Sequence, residues 1–118
     1  MFMPRLAAVI LVLSSAACAS QELPPPPPPD PPAQAAVRGQ QFATQACASC
    51  HAIGPLGASP MAGAPPFREI VHRYSLDQLE EAFASGLVTG HPAMPAFVFR
   101  ASEIDDLIAY LETVKSER

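Results

Sequence analysis

The chain of 118 residues contains no tryptophan, two tyrosines and six phenylalanines, so few large side chains are available to fill a core. Basic residues are also scarce, with 7 against 11 acidic ones and a formal charge of −4. Because phosphate binding needs clustered Lys and Arg, this balance argues against a nucleic-acid-binding protein. Only 15% of the residues are charged, which is too few for a solvated disordered chain. Proline is the exception, since eight of the 15 prolines lie between Pro24 and Pro32.

Residues 1–19 have the layout of an export signal. Arg5 provides a positive charge, an unbroken apolar run of eight residues follows, and small residues come next. Such a run is too short to span a bilayer, which takes about 20 apolar residues. Cleavage at Ala17-Cys18-Ala19 would remove Cys18, whereas a lipoprotein box at residues 15–18 would keep it as a lipidated first residue. The sequence therefore predicts an exported or periplasmic protein, anchored at a membrane surface if Cys18 is lipidated.

Residues 20–35 are predicted to be a proline-rich linker. The homopolymer from Pro24 to Pro29 favours the polyproline II conformation, which has no internal hydrogen bonds. At about 3.1 Å per residue, the proline-rich stretch spans roughly 28 Å. The linker is either a spacer of this length or a disordered leader whose length has no function. The remaining residues 36–118 form one domain, which is too small for an extensive core of its own.

The domain contains a C-x-x-C-H motif, Cys47-Ala48-Ser49-Cys50-His51, whose spacing is typical of covalent attachment of a c-type haem. Two thiols three positions apart can reach two vinyl groups of one porphyrin, and His51 can bind the iron. A thioredoxin-like motif would need βαβ units, but the preceding segment is rich in Ala and Gln. A zinc site would need a second pair of soft ligands, and the domain has no third Cys. We therefore expect one covalently bound haem c per chain.

The second axial ligand of the iron would come from later in the chain. The candidates are Met61, His72, His91 and Met94. Met94 lies in a proline-flanked loop between two predicted helices, and a thioether opposite imidazole favours ferrous iron. Met61 follows His51 by only ten residues, a short distance for reaching the opposite haem face. We predict Met94 as the ligand, with His91 as a substitute if Met94 were displaced, and His72 as a surface residue.

The apolar spacing predicts an all-α domain, because no segment alternates with a period of two. The clearest helix begins at a cap formed by Ser102 and carries an apolar stripe on one face. This stripe consists of Ile104, Leu107, Ile108 and Leu111. The other predicted helices run from about 34 to 47, begin at Pro66, and extend from a capping box at Ser75 to Gly86. Since the intervening loops carry few hydrophobic residues, we expect the haem-free chain to be largely unfolded.

In this context the chain resembles the class I c-type cytochromes, in their small bacterial monohaem form. The resemblance covers about residues 36–114 and rests on the C-x-x-C-H motif, on Met94-Pro95-Ala96-Phe97 and on the later segment 107–111, in that order. It implies a cytochrome c fold of three to four helices around one covalently bound haem. Cys47 and Cys50 would form the thioether bonds, and His51 and Met94 would be the axial ligands.

The resemblance also implies roles in the scaffold. Gly39 matches the glycine at which the first and last helices cross closely, and Tyr110 matches the aromatic residue of the last helix at that crossing. Pro65 would present the carbonyl oxygen that accepts a hydrogen bond from the His51 ring. Such a bond would determine the tautomer and the orientation of the imidazole.

The chain departs from the family pattern at two places. Ala43 stands where an aromatic residue is common, with Phe42 beside it, so the helix crossing is expected to be packed differently. Ala64 replaces a glycine in the proline loop, and Pro55 is an alternative to Pro65 there.

One-electron transfer is the function that these features imply. Two protein ligands leave the iron no open position for a substrate, and no catalytic carboxylate pair or nucleophile–base pair stands near the motif, so we expect no enzyme. A diffusing electron carrier is the first hypothesis. A tethered haem c subunit or electron-entry module of a larger dehydrogenase or oxidase complex is the second, and a haem sensor with a labile Met94 is the third. As an electron carrier, the protein would need two redox partner proteins, an electron donor and an acceptor. These partners would bind this acidic chain through positive patches or weak apolar contacts.

Overall fold

The computed structural model describes residues 28, 31–87 and 93–117, which contain four α-helices and no strand. The helices are α1 (Pro32–Ala46), α2 (Phe67–Arg73), α3 (Leu76–Ala84) and α4 (Ala101–Ser116). The all-α prediction is therefore confirmed. The predicted export signal with Cys18, most of the proline-rich linker and His91 lie outside the described residues. Among the helices that are described, none is long and apolar enough to cross a membrane.

Helix α1 begins two residues before its predicted start, at Pro32. Proline fits the first position of a helix because the N–H group it lacks would have no intrahelical partner there. Residues 32–35, which the sequence analysis placed in the linker, therefore belong to α1.

Helices α2 and α3 begin where local sequence signals predicted them. Helix α2 follows Pro66 directly. At the start of α3, the Ser75 hydroxyl accepts a hydrogen bond from the Gln78 N–H at 3.2 Å, and the Gln78 side-chain oxygen accepts one from the Ser75 N–H at 2.9 Å. Beyond the end of α3, Gly86 has a φ of 85°, which a glycine adopts without strain. The capping box and the helix stop are thus confirmed.

Helix α4 begins one residue before Ser102, and its N-cap is Arg100. The Glu103 carboxylate accepts a hydrogen bond from the Arg100 N–H at 2.9 Å and also pairs with the Arg100 guanidinium at 3.2 Å. The prediction that Ser102 caps this helix was wrong. The Glu103 side chain bonds to the N–H group of Arg100, which makes Arg100 the N-cap and places Ser102 inside the first turn.

The other three helices all pack against α4, and no other pair of helices has an extensive contact within the described ranges. Half of the buried apolar side chains come from α4 itself. The full set consists of Ala43, Phe67, Val71, Leu79, Phe83, Ile104, Leu107, Tyr110, Leu111 and Val114. Helices α1, α2 and α3 are therefore arranged around α4 with little direct contact among themselves.

Helices α1 and α4 cross at Gly39, where their backbones approach closely. A Cβ atom at this position would lie 2.6 Å from the Asp106 carbonyl carbon and 2.8 Å from Tyr110 Cβ, distances that real side chains do not adopt. Next to the crossing, the Arg38 guanidinium binds both carboxylate oxygens of Asp106, at 2.7 and 2.8 Å. Ala43 is 0% exposed one turn further along α1. The expected glycine-mediated crossing is confirmed.

Candidate functional site

The C-x-x-C-H motif forms a turn directly after α1. The Cys47 and Ala48 N–H groups both donate to the Ala43 carbonyl oxygen, at 2.9 and 3.0 Å. The Cys50 and His51 N–H groups then donate to the Cys47 carbonyl oxygen, at 3.1 and 2.9 Å. The motif therefore continues the helical hydrogen-bond pattern by one turn, which places its two thiols and its imidazole on one compact segment.

Both cysteines of the motif are free thiols and are partly buried. Burial raises the pKa of Cys47 to about 11, and the neighbouring Cys50 adds to the shift. The reactive cysteine of a disulfide oxidoreductase has a lowered pKa instead. The direction of the Cys47 shift is therefore opposite to the one that a thioredoxin-like role requires.

The His51 ring is held by a backbone carbonyl. Its Nδ1 atom lies 2.7 Å from the Pro65 oxygen. A protonated Nδ1 donates to this oxygen, which leaves Nε2 with a lone pair for a metal ion. The Phe67 ring lies 5.8 Å from the imidazole, centroid to centroid. Pro55, the alternative to Pro65, instead lines a surface cavity of about 550 Å³ beside α2.

Met94 is partly buried in the segment between α3 and α4. An aromatic cluster attaches the residues that follow it to the helices. The Phe42 ring of α1 lies 5.8 Å from both Phe97 and Phe99, and the Phe83 ring of α3 lies 5.1 Å from Phe99. Phe42 therefore packs against the segment that follows Met94, while Ala43 beside it is fully buried.

The other methionine and histidine candidates lie elsewhere. Met61 is 38% exposed, and its N–H donates to the Cys50 carbonyl oxygen at 3.1 Å, so it belongs to the same loop as His51. His72 is exposed on α2, where it lines the same surface cavity as Pro55. Residues 31–87 and 93–117 contain no group of three or more His, Cys, Asp or Glu side chains that could hold a metal ion.

Two side-chain hydroxyls bind the backbone directly after His51, and the sequence analysis did not predict these contacts. The Ala52 N–H donates to Ser59 Oγ at 3.0 Å, and the Tyr110 hydroxyl donates to the Ile53 carbonyl oxygen at 3.0 Å. Neither contact has a sequence signal, because one joins two positions of an irregular loop and the other joins residues 57 positions apart. Tyr110 was expected only at the helix crossing.

This set of side chains fits a c-type haem. The two free thiols and the uncommitted Nε2 of His51 are the donors that such a group requires. Several apolar side chains pack against the core and remain only partly buried, so an apolar ligand could cover them. They are Phe42, Ile53, Ile70, Leu76, Leu87, Phe99 and Ile108.

Comparison with known proteins leads to the same family. The family model for cytochrome c matches residues 36–115. Cytochrome c-552 from Bradyrhizobium diazoefficiens is 32% identical over 83 residues, which cover 70% of this chain and 78% of that relative. No solved structure matches the chain significantly. With the C-x-x-C-H turn, the all-α fold and the glycine-mediated helix crossing, these matches show that the chain belongs to the cytochrome c family, as a class I c-type cytochrome that transfers electrons through haem.

Proposed function

We propose that this cytochrome carries single electrons through one haem c, which is bound covalently by Cys47 and Cys50 and ligated axially by His51 and Met94. The observation that carries this proposal is the 2.7 Å contact between His51 Nδ1 and the Pro65 carbonyl oxygen, because it prepares Nε2 for iron. When bound, the haem supplies the Fe(II)/Fe(III) couple. We further propose that the protein works outside the cytoplasmic membrane, on the basis of the predicted export signal.

Each residue of the proposed site has a separate task. The Pro65 carbonyl restrains rotation of the His51 ring and raises its basicity, which stabilises the oxidised iron. The Met94 thioether is a soft donor that favours the reduced iron and raises the reduction potential. The hydrogen-bonded His51 would lower the reduction potential and Met94 would raise it, so the potential would reflect the balance of the two effects.

The aromatic cluster supports the proposed Met94 ligation from the C-terminal side. The rings of Phe97 and Phe99 are 4.8 Å apart and both contact Phe42. Because Phe97 is only three positions after Met94, this packing restricts how far the thioether can move. Two permanent protein ligands exclude substrate from the iron, which favours a carrier over an enzyme.

The exposed charges favour redox partners with a basic docking surface. Helix α3 exposes Asp77, Glu80 and Glu81 and contains no basic residue. Such a surface would steer a positively charged donor or acceptor toward the protein at low ionic strength. The reaction rate with such a partner would fall as salt is added.

The proline-rich residues favour a second candidate, a tethered subunit of a larger oxidoreductase. A stiff linker and a lipid on Cys18 would hold the haem domain at a membrane surface near a fixed partner. Purification separates the two functions: a soluble monomer supports the diffusing carrier, and a detergent-extracted complex supports the tethered subunit. The intact mass of the mature protein determines whether Cys18 is kept and lipidated.

Absorption spectra of the haem-loaded protein and of two methionine variants test the ligand assignment. We expect a sharp c-type band in the reduced protein and a weak Met–Fe(III) charge-transfer band in the oxidised protein. The charge-transfer band should disappear in Met94→Ala and persist in Met61→Ala, which is the matched control. Persistence of the band in Met94→Ala would contradict the assignment.

A further inference from the structure

The geometry points to Ser59 and Tyr110 as positioning residues for the His51 imidazole, acting through the two residues that follow it. The inference rests on the proposed function, since it takes His51 as an iron ligand. Neither side chain contacts the imidazole. Each one binds a backbone atom of the segment that determines where the imidazole and its hydrogen-bond acceptor lie.

The segment after His51 is bound from three directions. The Ala52 N–H donates to Ser59 Oγ at 3.0 Å, and the Ala52 carbonyl oxygen accepts from the Phe67 N–H at 2.9 Å. The Ile53 carbonyl oxygen accepts from the Tyr110 hydroxyl at 3.0 Å. Three of the four backbone polar groups of Ala52 and Ile53 therefore have specified partners in a loop that has no regular secondary structure.

These bonds also control the distance between His51 and Pro65. Pro65 lies at the far end of the loop, 14 positions from His51. Phe67, two residues beyond Pro65, is tied to Ala52, so any displacement of Ala52 moves the Pro65 carbonyl relative to the imidazole. The Ser59 hydroxyl restrains Ala52 at its other backbone group.

Tyr110 connects this loop to the close crossing of α1 and α4. Its side chain is only 6% exposed, and its Cβ faces Gly39 at the crossing of α1 and α4. Its hydroxyl donates a hydrogen bond to the Ile53 carbonyl oxygen. Ile53 is partly buried, so loss of this bond would leave a partly buried acceptor without its hydroxyl partner. The rigid crossing therefore has a direct link to the second residue after the proposed iron ligand.

Loss of either hydroxyl should loosen the bond between His51 Nδ1 and Pro65. A weaker bond lowers the basicity of the imidazole, which destabilises Fe(III) and raises the reduction potential. It also lets the Nδ1 proton exchange faster with solvent. We expect the exchange rate to rise roughly fivefold, the factor that corresponds to one ordinary hydrogen bond.

The test measures this exchange rate by NMR, together with the reduction potential, in the reduced haem-loaded protein. Ser59→Ala and Tyr110→Phe should each accelerate exchange and raise the potential, and Ser59→Thr should restore wild-type values. The control variants are Thr113→Val and Ser116→Ala, which remove hydroxyls that bond only within α4, to Tyr110 O and Glu112 O. These controls should leave both measurements unchanged.

Failure of the inference is distinguishable from failure of the proposed function. If the wild-type His51 ring protons show no haem-induced shift, His51 is not the ligand and both proposals are overturned. If the shift is present but exchange and potential are unchanged in Ser59→Ala and Tyr110→Phe, only the positioning role is overturned. Equal changes in the α4 control variants would also overturn it, because they would reflect a general loss of stability.

Discussion

The crossing of α1 and α4 and the loop from 52 to 66 lie on either side of Tyr110 and are stabilised by different interactions. At the crossing, two helices meet through Gly39 and a fully buried Ala43, so tight packing is the main interaction there, with the exposed Arg38–Asp106 ion pair beside it. The loop is rich in Pro, Gly and Ala, and its Leu56 is 85% exposed. Directional hydrogen bonds to Ala52, Ile53 and His51 hold it in place. The crossing therefore depends on the fit of two helices, whereas the loop depends on individual hydrogen bonds.

Of the changes considered, removal of the haem is expected to have the largest effect on the stability of both regions. The variant in which Cys47→Ala and Cys50→Ala are combined cannot attach haem covalently. Because the described helices bury only the ten apolar side chains of the core cluster without haem, the haem-free chain should lose most of its helical circular dichroism and its cooperative thermal transition. A cooperative melt with native helix content would show that the α1–α4 crossing is sufficient for folding.

Thiol alkylation of the wild-type chain without haem gives an independent check. In the folded structure the pKa of Cys47 is about 11, against an ordinary 9.0. This difference lowers the thiolate fraction at pH 8 by about 100-fold, because each pH unit is a factor of ten. Unfolding removes the burial, so both cysteines should then react at similar rates. A strong lag of Cys47 behind Cys50 would mean that the native loop persists without haem.

Gly39→Ala is expected to have the next largest effect, because its Cβ would overlap the Asp106 carbonyl group. The helices would have to separate, and we expect the haem-loaded protein to lose about 2 kcal/mol of unfolding free energy. For a domain of this size that loss lowers the Tm by roughly 10 °C. Gly54→Ala is the matched control, since nothing lies within 4 Å of its added Cβ. Equal Tm values for the two variants would contradict the close crossing.

Alkaline pH is expected to have the smallest effect on stability. It acts through Tyr110, which links the helix crossing to the loop. Burial, with a smaller contribution from Glu117, raises the pKa of the Tyr110 hydroxyl above its ordinary value of 10.0. The neutral phenol is therefore favoured in the folded state, so its contribution is complete below about pH 10 and is lost as pH rises through the folded pKa.

Denaturant unfolding of the haem-loaded protein between pH 8 and pH 11 measures this contribution. Tyr110→Phe should be less stable than wild type by about 1 kcal/mol at pH 8, the net contribution of one hydrogen bond. The difference should shrink at higher pH, because the variant has no hydroxyl to ionise. A constant difference across this range would show that ionisation of Tyr110 does not affect stability.

Local signals were sufficient to predict much of the scaffold. The reciprocal bonds of Ser75 and Gln78 and the positive φ of Gly86 depend on neighbouring residues, so the sequence predicted the ends of α3. At α4 the same type of signal indicated Ser102, but Glu103 competed for the same role and moved the cap to Arg100. The sequence pattern alone could not distinguish these two registers.

The contacts around His51 could not be predicted in this way, because they join residues that are separated in the sequence and meet only in the folded chain. The resemblance implied the Pro65 carbonyl, but nothing in the sequence predicted that Ser59 would bind Ala52 or that Tyr110 would reach Ile53. A hydroxyl carries no periodic signal, and its partner is determined only when helix α4 is packed against the loop. The aromatic cluster of Phe42, Phe97 and Phe99 was not predicted either, because its rings come from distant segments of the chain.

The dependence of three helices on α4 also has a consequence for biosynthesis. A ribosome produces the chain from α1 onward, and α4 (Ala101–Ser116) is the last of the described helices to emerge. Until then Gly39 has no α4 backbone to pack against, so the crossing of α1 and α4 cannot form. We therefore expect the two thiols of the C-x-x-C-H turn to stay accessible for haem attachment until the final helix has packed, so its late synthesis would give the chain an interval for receiving its cofactor.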